Sequence, residues 1–220
     1  MIEKKKLSTL KISVYIIAFY AVWSMRELYI QPVFLESLDS VASEIIGEII
    51  KLLVWTLPAI LLIKHFHDDM WIGLKEMFAN KINWSQDFYF LIAIIAIPLL
   101  RAFQAGFIIR PDFMQIGLVG AVVLVGITEE VVFRGFLLNT FLKKLKIQYA
   151  VALDAVLFTL IHYPIWIYRE RDFSEFLTGS ITVVVLSMFF AYSFIKTKKI
   201  LVPIALHMVW NLSIRLFLSS

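Results

Sequence analysis

What most constrains this chain is a succession of apolar runs, each about as long as a bilayer crossing. A helix needs about 20 apolar residues to span the hydrocarbon core. Seven runs meet that length, near 7–25, 44–63, 85–109, 113–141, 148–164, 176–195 and 200–218. Only helices and closed barrels satisfy the backbone in lipid, and runs this long are helical. The expected fold class is therefore all-α: a polytopic membrane helix bundle with about seven spans, within limits of about six and eight. Composition agrees. Of the 220 residues, 60% are hydrophobic and 17% charged, with a mean hydropathy of +0.83, against about 45–50% apolar and about 25% charged in a soluble domain. The chain has no cysteine, which excludes disulfide frameworks, thiol nucleophiles and cysteine-ligated zinc. The second run is the weakest, because Glu44, Glu48 and Lys51 recur at helical spacing within it and favour an interfacial course for its first turns. The first run follows Lys4, Lys5 and Lys6 as a signal peptide would. No small-x-small cleavage site comes after it, so it is read as a retained anchor.

The net charge of +4 does not point to nucleic acid, because the basic residues sit in short clusters between apolar runs. With the N-terminus in the cytoplasm, the inner segments carry Lys4, Lys5, Lys6, Lys11, Lys64, Lys75, Lys81, Lys143, Lys144, Lys146, Lys196, Lys198 and Lys199. The outer side carries Arg26, Arg110, Arg169, Arg171 and Arg215, while Lys51, Arg101 and Arg134 fall inside runs. This asymmetry follows the positive-inside rule and predicts a multi-pass protein of the cell membrane. Trp71, Trp84 and Trp166 fall near run ends, where an aromatic belt belongs. No repeat, low-complexity tract or long linker is evident, and residues 1–220 are expected to form a single membrane domain.

Charged groups inside membrane helices cost at least about 2.5–3.5 kcal/mol each and are functional candidates by default. The fourth run contains Glu129, Glu130 and Arg134. Glu130 and Arg134 stand four residues apart and share a helix face, so they can pair, while Glu129 points about 100° away. The fifth run contains Phe158 and His162, and the seventh contains His207 and Asn211, each pair again four apart. Taken singly, each is compatible with structural hydrogen bonding between helices. Helical rise places Glu129 about 21 Å above Lys143, His162 about 24 Å above Lys146, and His207 and Asn211 about 12 and 18 Å above Lys199. Three helices thus bring polar groups to a common band. A desolvated Glu can take a proton from water, a His can orient that water, and a second His with an Asn can donate to an oxyanion. Glu129, His162 and His207 could instead ligate a divalent metal such as zinc. No Ser/His/Asp arrangement and no HExxH motif accompanies them.

The three motifs EExxxR (Glu129, Glu130, Arg134), FxxxH (Phe158, His162) and HxxxN (His207, Asn211) resemble, in order and spacing, those of the CPBP intramembrane proteases. These are the CAAX prenyl protease and bacteriocin-processing enzymes, also called the Abi family. The resemblance covers residues 113–218 as a catalytic core, and the first two runs carry no motif. It implies an all-helical fold around a water-accessible cavity open to the membrane or the cytoplasm. It also implies endopeptidase cleavage of a membrane-associated protein or leader peptide. In that likeness Glu129 and His162 activate water, His207 and Asn211 stabilise the oxyanion, and Glu130 and Arg134 support them. The family is described both as metal-dependent and as metal-free. Two other readings stand beside it: a non-proteolytic bacteriocin-immunity or scaffold protein of the same fold, and a transporter, although inverted repeats are missing.

Asp154, one turn before Phe158, departs from the usual pattern. By helical rise it lies level with Arg134, which leads to an expected clamp in which Arg134 bridges Asp154 and Glu130. The alternative is a protonated Asp154 bonded to a carbonyl. The run from His65 to Asp69 and the alternating Arg169, Glu170, Arg171 and Asp172 read as solvated loops.

Overall fold

The computed structural model describes residues 8–79, 88–104, 106–108 and 119–217. Parts of the third and fourth runs, with Lys4, Lys5, Lys6, Lys81, Trp84 and Arg110, lie outside the described residues, as do the side chains of Glu44 and Arg101. The structure is 87% helix with no strand among the described residues. The main helices are α1 (Thr9–Met25), α2 (residues 40–65), α3 (Phe88–Gln104), α4 (residues 119–144), α5 (Ile147–Leu160), α6 (Tyr163–Tyr168), α7 (Phe173–Thr197) and α8 (Leu201–Leu216). Sequence chemistry explains several ends. The Ser8 hydroxyl caps α1 by accepting from the Lys11 backbone. Asp172 and Glu175 form a reciprocal capping box at the start of α7, so the sign-alternating loop ends in a helix start signal.

Three segments are long and apolar enough to cross a membrane: Ile45–His65, Ile147–Tyr168 and Phe173–Thr197. Phe88–Gln104 and Leu201–Leu216 are shorter apolar helices. The second run, expected to be the weakest, is the most apolar of the three, with a mean hydropathy of 2.0. Its charges do not force an interfacial course, because Lys51 Nζ donates to Glu48 Oε1 at 2.6 Å, with Glu48 buried and Lys51 half-buried inside the bundle. The fourth run differs in carrying three charged residues, Glu129, Glu130 and Arg134, and all three are buried among the other helices.

Polarity is inverted relative to a soluble protein. Phe103, Leu10 and Ile17 are 75%, 73% and 69% exposed, whereas Glu130, Arg134 and Asp154 are wholly buried. An outward apolar shell around inward charges is the stable distribution when lipid is the solvent. The protein belongs in a membrane.

The centre of the bundle is α4. All eight residues from Val131 to Leu138 are buried, and this stretch and Val119–Leu124 adopt wide π-helical turns on either side of the α-helical Val125–Glu130. Such turns recur at functional sites. One turn from the paired glutamates, a Cβ added to Gly126 would stand 2.9 Å from Met208 Cγ, so glycine permits the close approach of α8. At the lysine-rich end, Asn139 ties α4 to the loop that follows α2. Its amide donates to Ile72 O at 2.8 Å and Gly135 O at 3.1 Å, and its oxygen accepts from Ile72 N at 2.8 Å. His67 and Asp68 on this loop are exposed, while Phe66, Met70 and Ile72 are core residues.

Asn139→Ala strands buried backbone groups of Ile72, and unsatisfied groups of this kind cost about 1–3 kcal/mol each. Thermal unfolding of the purified protein in detergent is expected to show a loss of about 2 kcal/mol or more, against less than about 0.5 kcal/mol for an exposed substitution such as His67→Ala.

Candidate active site

Arg134 is the organising residue. Its Nη1 donates to Glu130 Oε1 at 3.1 Å, one helical turn earlier on α4. Its Nη2 donates to Ser187 O at 2.9 Å and Ser187 Oγ at 2.8 Å on α7. Its Nε lies 3.6 Å from Asp154 Oδ2 on α5, an ion pair without a hydrogen bond. The guanidinium carbon sits 4.4 Å from the centre of the Phe158 ring and 5.4 Å from that of Phe190, so the cation is faced by two aromatic rings. Arg134 therefore stands between the carboxylates of Glu130 and Asp154, and it draws α4, α5 and α7 to one point. Ser187 carries no sequence signal: it is one serine among several in an apolar helix.

Glu130 extends this network to α8. Its Oε1 also receives His207 Nδ1 at 2.8 Å, while His207 Nε2 lies 3.9 Å from Glu129 Oε2. A carboxylate that already accepts from Arg134 can only accept from the imidazole, so Nδ1 carries the proton in this bond. His207 is held from both faces, stacked on Phe190 with ring centres 5.1 Å apart and edge-on to Phe158 at 5.9 Å.

His162 sits where α5 breaks into α6. Pro164 has no N–H and occupies the first turn of α6, so the helix cannot run through unaltered. The His162 backbone N–H turns back to Thr159 O at 3.0 Å, one residue short of an α-helical bond. That frees Phe158 O for the His162 side chain, whose Nδ1 lies 3.1 Å away. A carbonyl only accepts, so Nδ1 is protonated and Nε2 presents its lone pair. Other carbonyls in this last turn are bonded by side chains from α1. Trp23 Nε1 donates to Ile161 O at 2.6 Å, and the Tyr20 hydroxyl donates to Leu157 O. Trp23 and Tyr20 carry no motif, and only the contact across 137–138 positions reveals them.

Glu129, His162 and Asn211 line one cavity of about 660 Å³. Another wall comes from the end of the first run and the residues just after it (Trp23, Arg26 and Glu27) and from the second run (Gly47, Glu48 and Lys51). Sequence reasoning passed over this wall, although the spacing of Glu48 and Lys51 was its signal. Toward its exposed end stand Arg169, Arg171 and Arg215, so the cavity opens at the arginine-bearing end of the bundle, away from the Lys143, Lys144 and Lys146 cluster. A second cavity, also about 660 Å³, lies between α7 and α8 and shares His162, Trp166 and Asn211 with the first; His207 and Phe190 line this one. Trp166, assigned to an aromatic belt from sequence, is instead buried between the two cavities beneath the Arg171 guanidinium.

Among the described residues no group of three or more His, Asp or Glu side chains converges as a metal site. Within the set of Glu129, His162 and His207, the Nδ1 atoms of both histidines are engaged in hydrogen bonds, which leaves Nε2 of each as the nitrogen that could ligate.

Residues 111–213 match the family model described as Rce1-like, type II CAAX prenyl endopeptidase Rce1-like. Neither the curated proteins nor the solved structures gave a match.

Asp154→Asn removes one buried carboxylate but leaves Arg134 with Glu130 and Ser187. We expect a stability loss of about 1–3 kcal/mol in detergent unfolding, with peptidase turnover changed less than about threefold. Trp23→Phe keeps the ring and deletes only the indole donor. The expected cost is about 1 kcal/mol or more in the same assay, with faster amide exchange at the end of α5.

Proposed function

We propose, from the match of residues 111–213 to the Rce1-like model of type II CAAX prenyl endopeptidases, that this protein is an intramembrane endopeptidase that hydrolyses a peptide bond of a membrane-associated protein or leader peptide. The whole chain then acts as one membrane domain of the cell membrane, with 113–218 as its catalytic core. The observation that carries the reading is that Glu129 and His162, from different helices, line one cavity with the His162 Nε2 lone pair available.

In this mechanism a water between the Glu129 carboxylate and His162 Nε2 gives up its proton to Glu129. The oxygen attacks the scissile carbonyl carbon, whose π electrons move onto the carbonyl oxygen. Asn211 Nδ2 and His207 Nε2 donate to that oxyanion. Nδ1 of His207 is committed to Glu130, so donation from Nε2 requires the imidazolium form. Collapse of the tetrahedral intermediate expels the amine, which takes the proton back from Glu129. Glu130 and Arg134 touch no reacting atom and act as positioning residues, Glu130 on His207 and Arg134 through Glu130, Phe158 and Asp154.

Glu129→Gln keeps the shape and removes the base. Cleavage of a peptide library by protein reconstituted in lipid should fall at least about 10²-fold, the usual scale of a general base. Insertion and thermal stability should stay unchanged. His162→Ala should lose activity to a similar degree. Full activity in the Gln variant would reject Glu129 as the base.

A further inference from the structure

The polar cavity has a charge balance that hydrolysis alone does not require. Five cationic residues line it (Arg26, Lys51, Arg169, Arg171 and Arg215) against three acidic ones (Glu27, Glu48 and Glu129). Within the deep part, Lys51 is matched by Glu48 at 2.6 Å, and Arg26 Nη1 by Glu27. The other three cations, Arg169, Arg171 and Arg215, line the same cavity nearer its exposed end.

Arg26 is the residue that makes this a built site. It is 8% exposed, and its Nε has no hydrogen-bond partner. The Trp23 ring lies 5.2 Å from its guanidinium carbon. A Cβ on Gly47 would come within 3.1 Å of Nη2, so the absence of a side chain on α2 leaves room for the guanidinium there. A buried donor left unmatched is costly unless something reaches it. Here it lines a cavity of ordinary ligand size, opposite Glu129 and His162. Guanidinium forks recognise carboxylates through paired, charge-assisted hydrogen bonds.

We propose that Arg26, with Arg171 and Arg215 nearer the exposed end, forms an anion subsite that binds a carboxylate of the peptide on the leaving-group side of the bond that is cut. This inference rests on the peptidase reading for the identity of its ligand. It adds a specificity element from the turn just after α1, outside the matched residues 111–213. The carboxylate is either the C-terminal α-carboxylate or an Asp or Glu side chain near the cut, and both share the same chemistry. Binding it there places the preceding peptide bond beside Glu129. It also accounts for arginine in place of lysine at this end, because only arginine offers the bidentate fork.

The test separates binding from cutting. In the binding arm, Glu129→Gln protein in phosphatidylcholine nanodiscs is titrated with fluorescent peptides in matched sets: free acid, C-terminal amide, and amide with an internal Glu. Free acid or internal Glu should bind at least about tenfold tighter than the neutral amide, and whichever of the two does so identifies the source. The preference should fall below about threefold in Arg26→Gln. It should be partly kept in Arg26→Lys, which guards against loss of fold, and should weaken in the half-buried Arg171→Gln. Equal binding of all three sets, or binding of none, overturns the subsite. So does loss of the preference in phosphatidylglycerol nanodiscs, which would assign the arginines to lipid phosphate. In the cutting arm, wild-type protein digests the same sets. Acid-selective binding without any cutting would remove the peptidase reading and leave the subsite, whereas cutting without acid preference would do the reverse.

Discussion

The bundle depends on a guanidinium buried without access to water. Taking one ion out of water costs several kcal/mol even after relaxation, and here Arg134, Glu130 and Asp154 are all fully buried. The cost is met only because every part of Arg134 faces a compensating group. Those groups are two carboxylates, the carbonyl and hydroxyl of Ser187, and the rings of Phe158 and Phe190. They come from three helices, and Glu130 passes the link to His207 on a fourth. A register shift in any of those helices would leave a charge unpaired in low dielectric. The network thus specifies one arrangement, whatever its net contribution to stability.

The same logic of satisfying buried polar groups shapes the neighbouring helix break. Pro164 prevents a regular helix, and the tightened turn at Thr159 leaves the Phe158 carbonyl to His162. The side chains of Tyr20 and Trp23 satisfy two further carbonyls. This fixes which imidazole nitrogen is protonated, and hence which one faces the cavity. The histidine's chemistry is therefore set partly by α1, which lies outside the segment that carries the family match.

Lipid as solvent explains why charge collects inside. Large apolar side chains cover the outside of the bundle, so polar atoms within the membrane-spanning part are hydrated in the cavities beside Glu129 and His207. Arg26, Arg169, Arg171 and Arg215 separate from the lysines in sequence and, in the fold, all line one cavity. Their clustering belongs to that cavity as much as to membrane topology.

By itself the sequence determined the helical class, the membrane setting and the pairing of Glu130 with Arg134, because helical periodicity and the cost of intramembrane charge are local. The EExxxR, FxxxH and HxxxN spacings are legible for the same reason: residues four apart share a face wherever the helix goes. The level of Asp154 relative to Arg134 followed from rise per residue alone. Tertiary structure decided the rest. It brought Ser187 to Arg134, Trp23 to the end of α5, and His207 to Glu130 rather than leaving it simply beside Asn211. It took Trp166 from an expected interface into the wall of two cavities. Each of these is a contact between distant segments, fixed by the packing of whole helices around buried charge, and no periodicity within one helix encodes it.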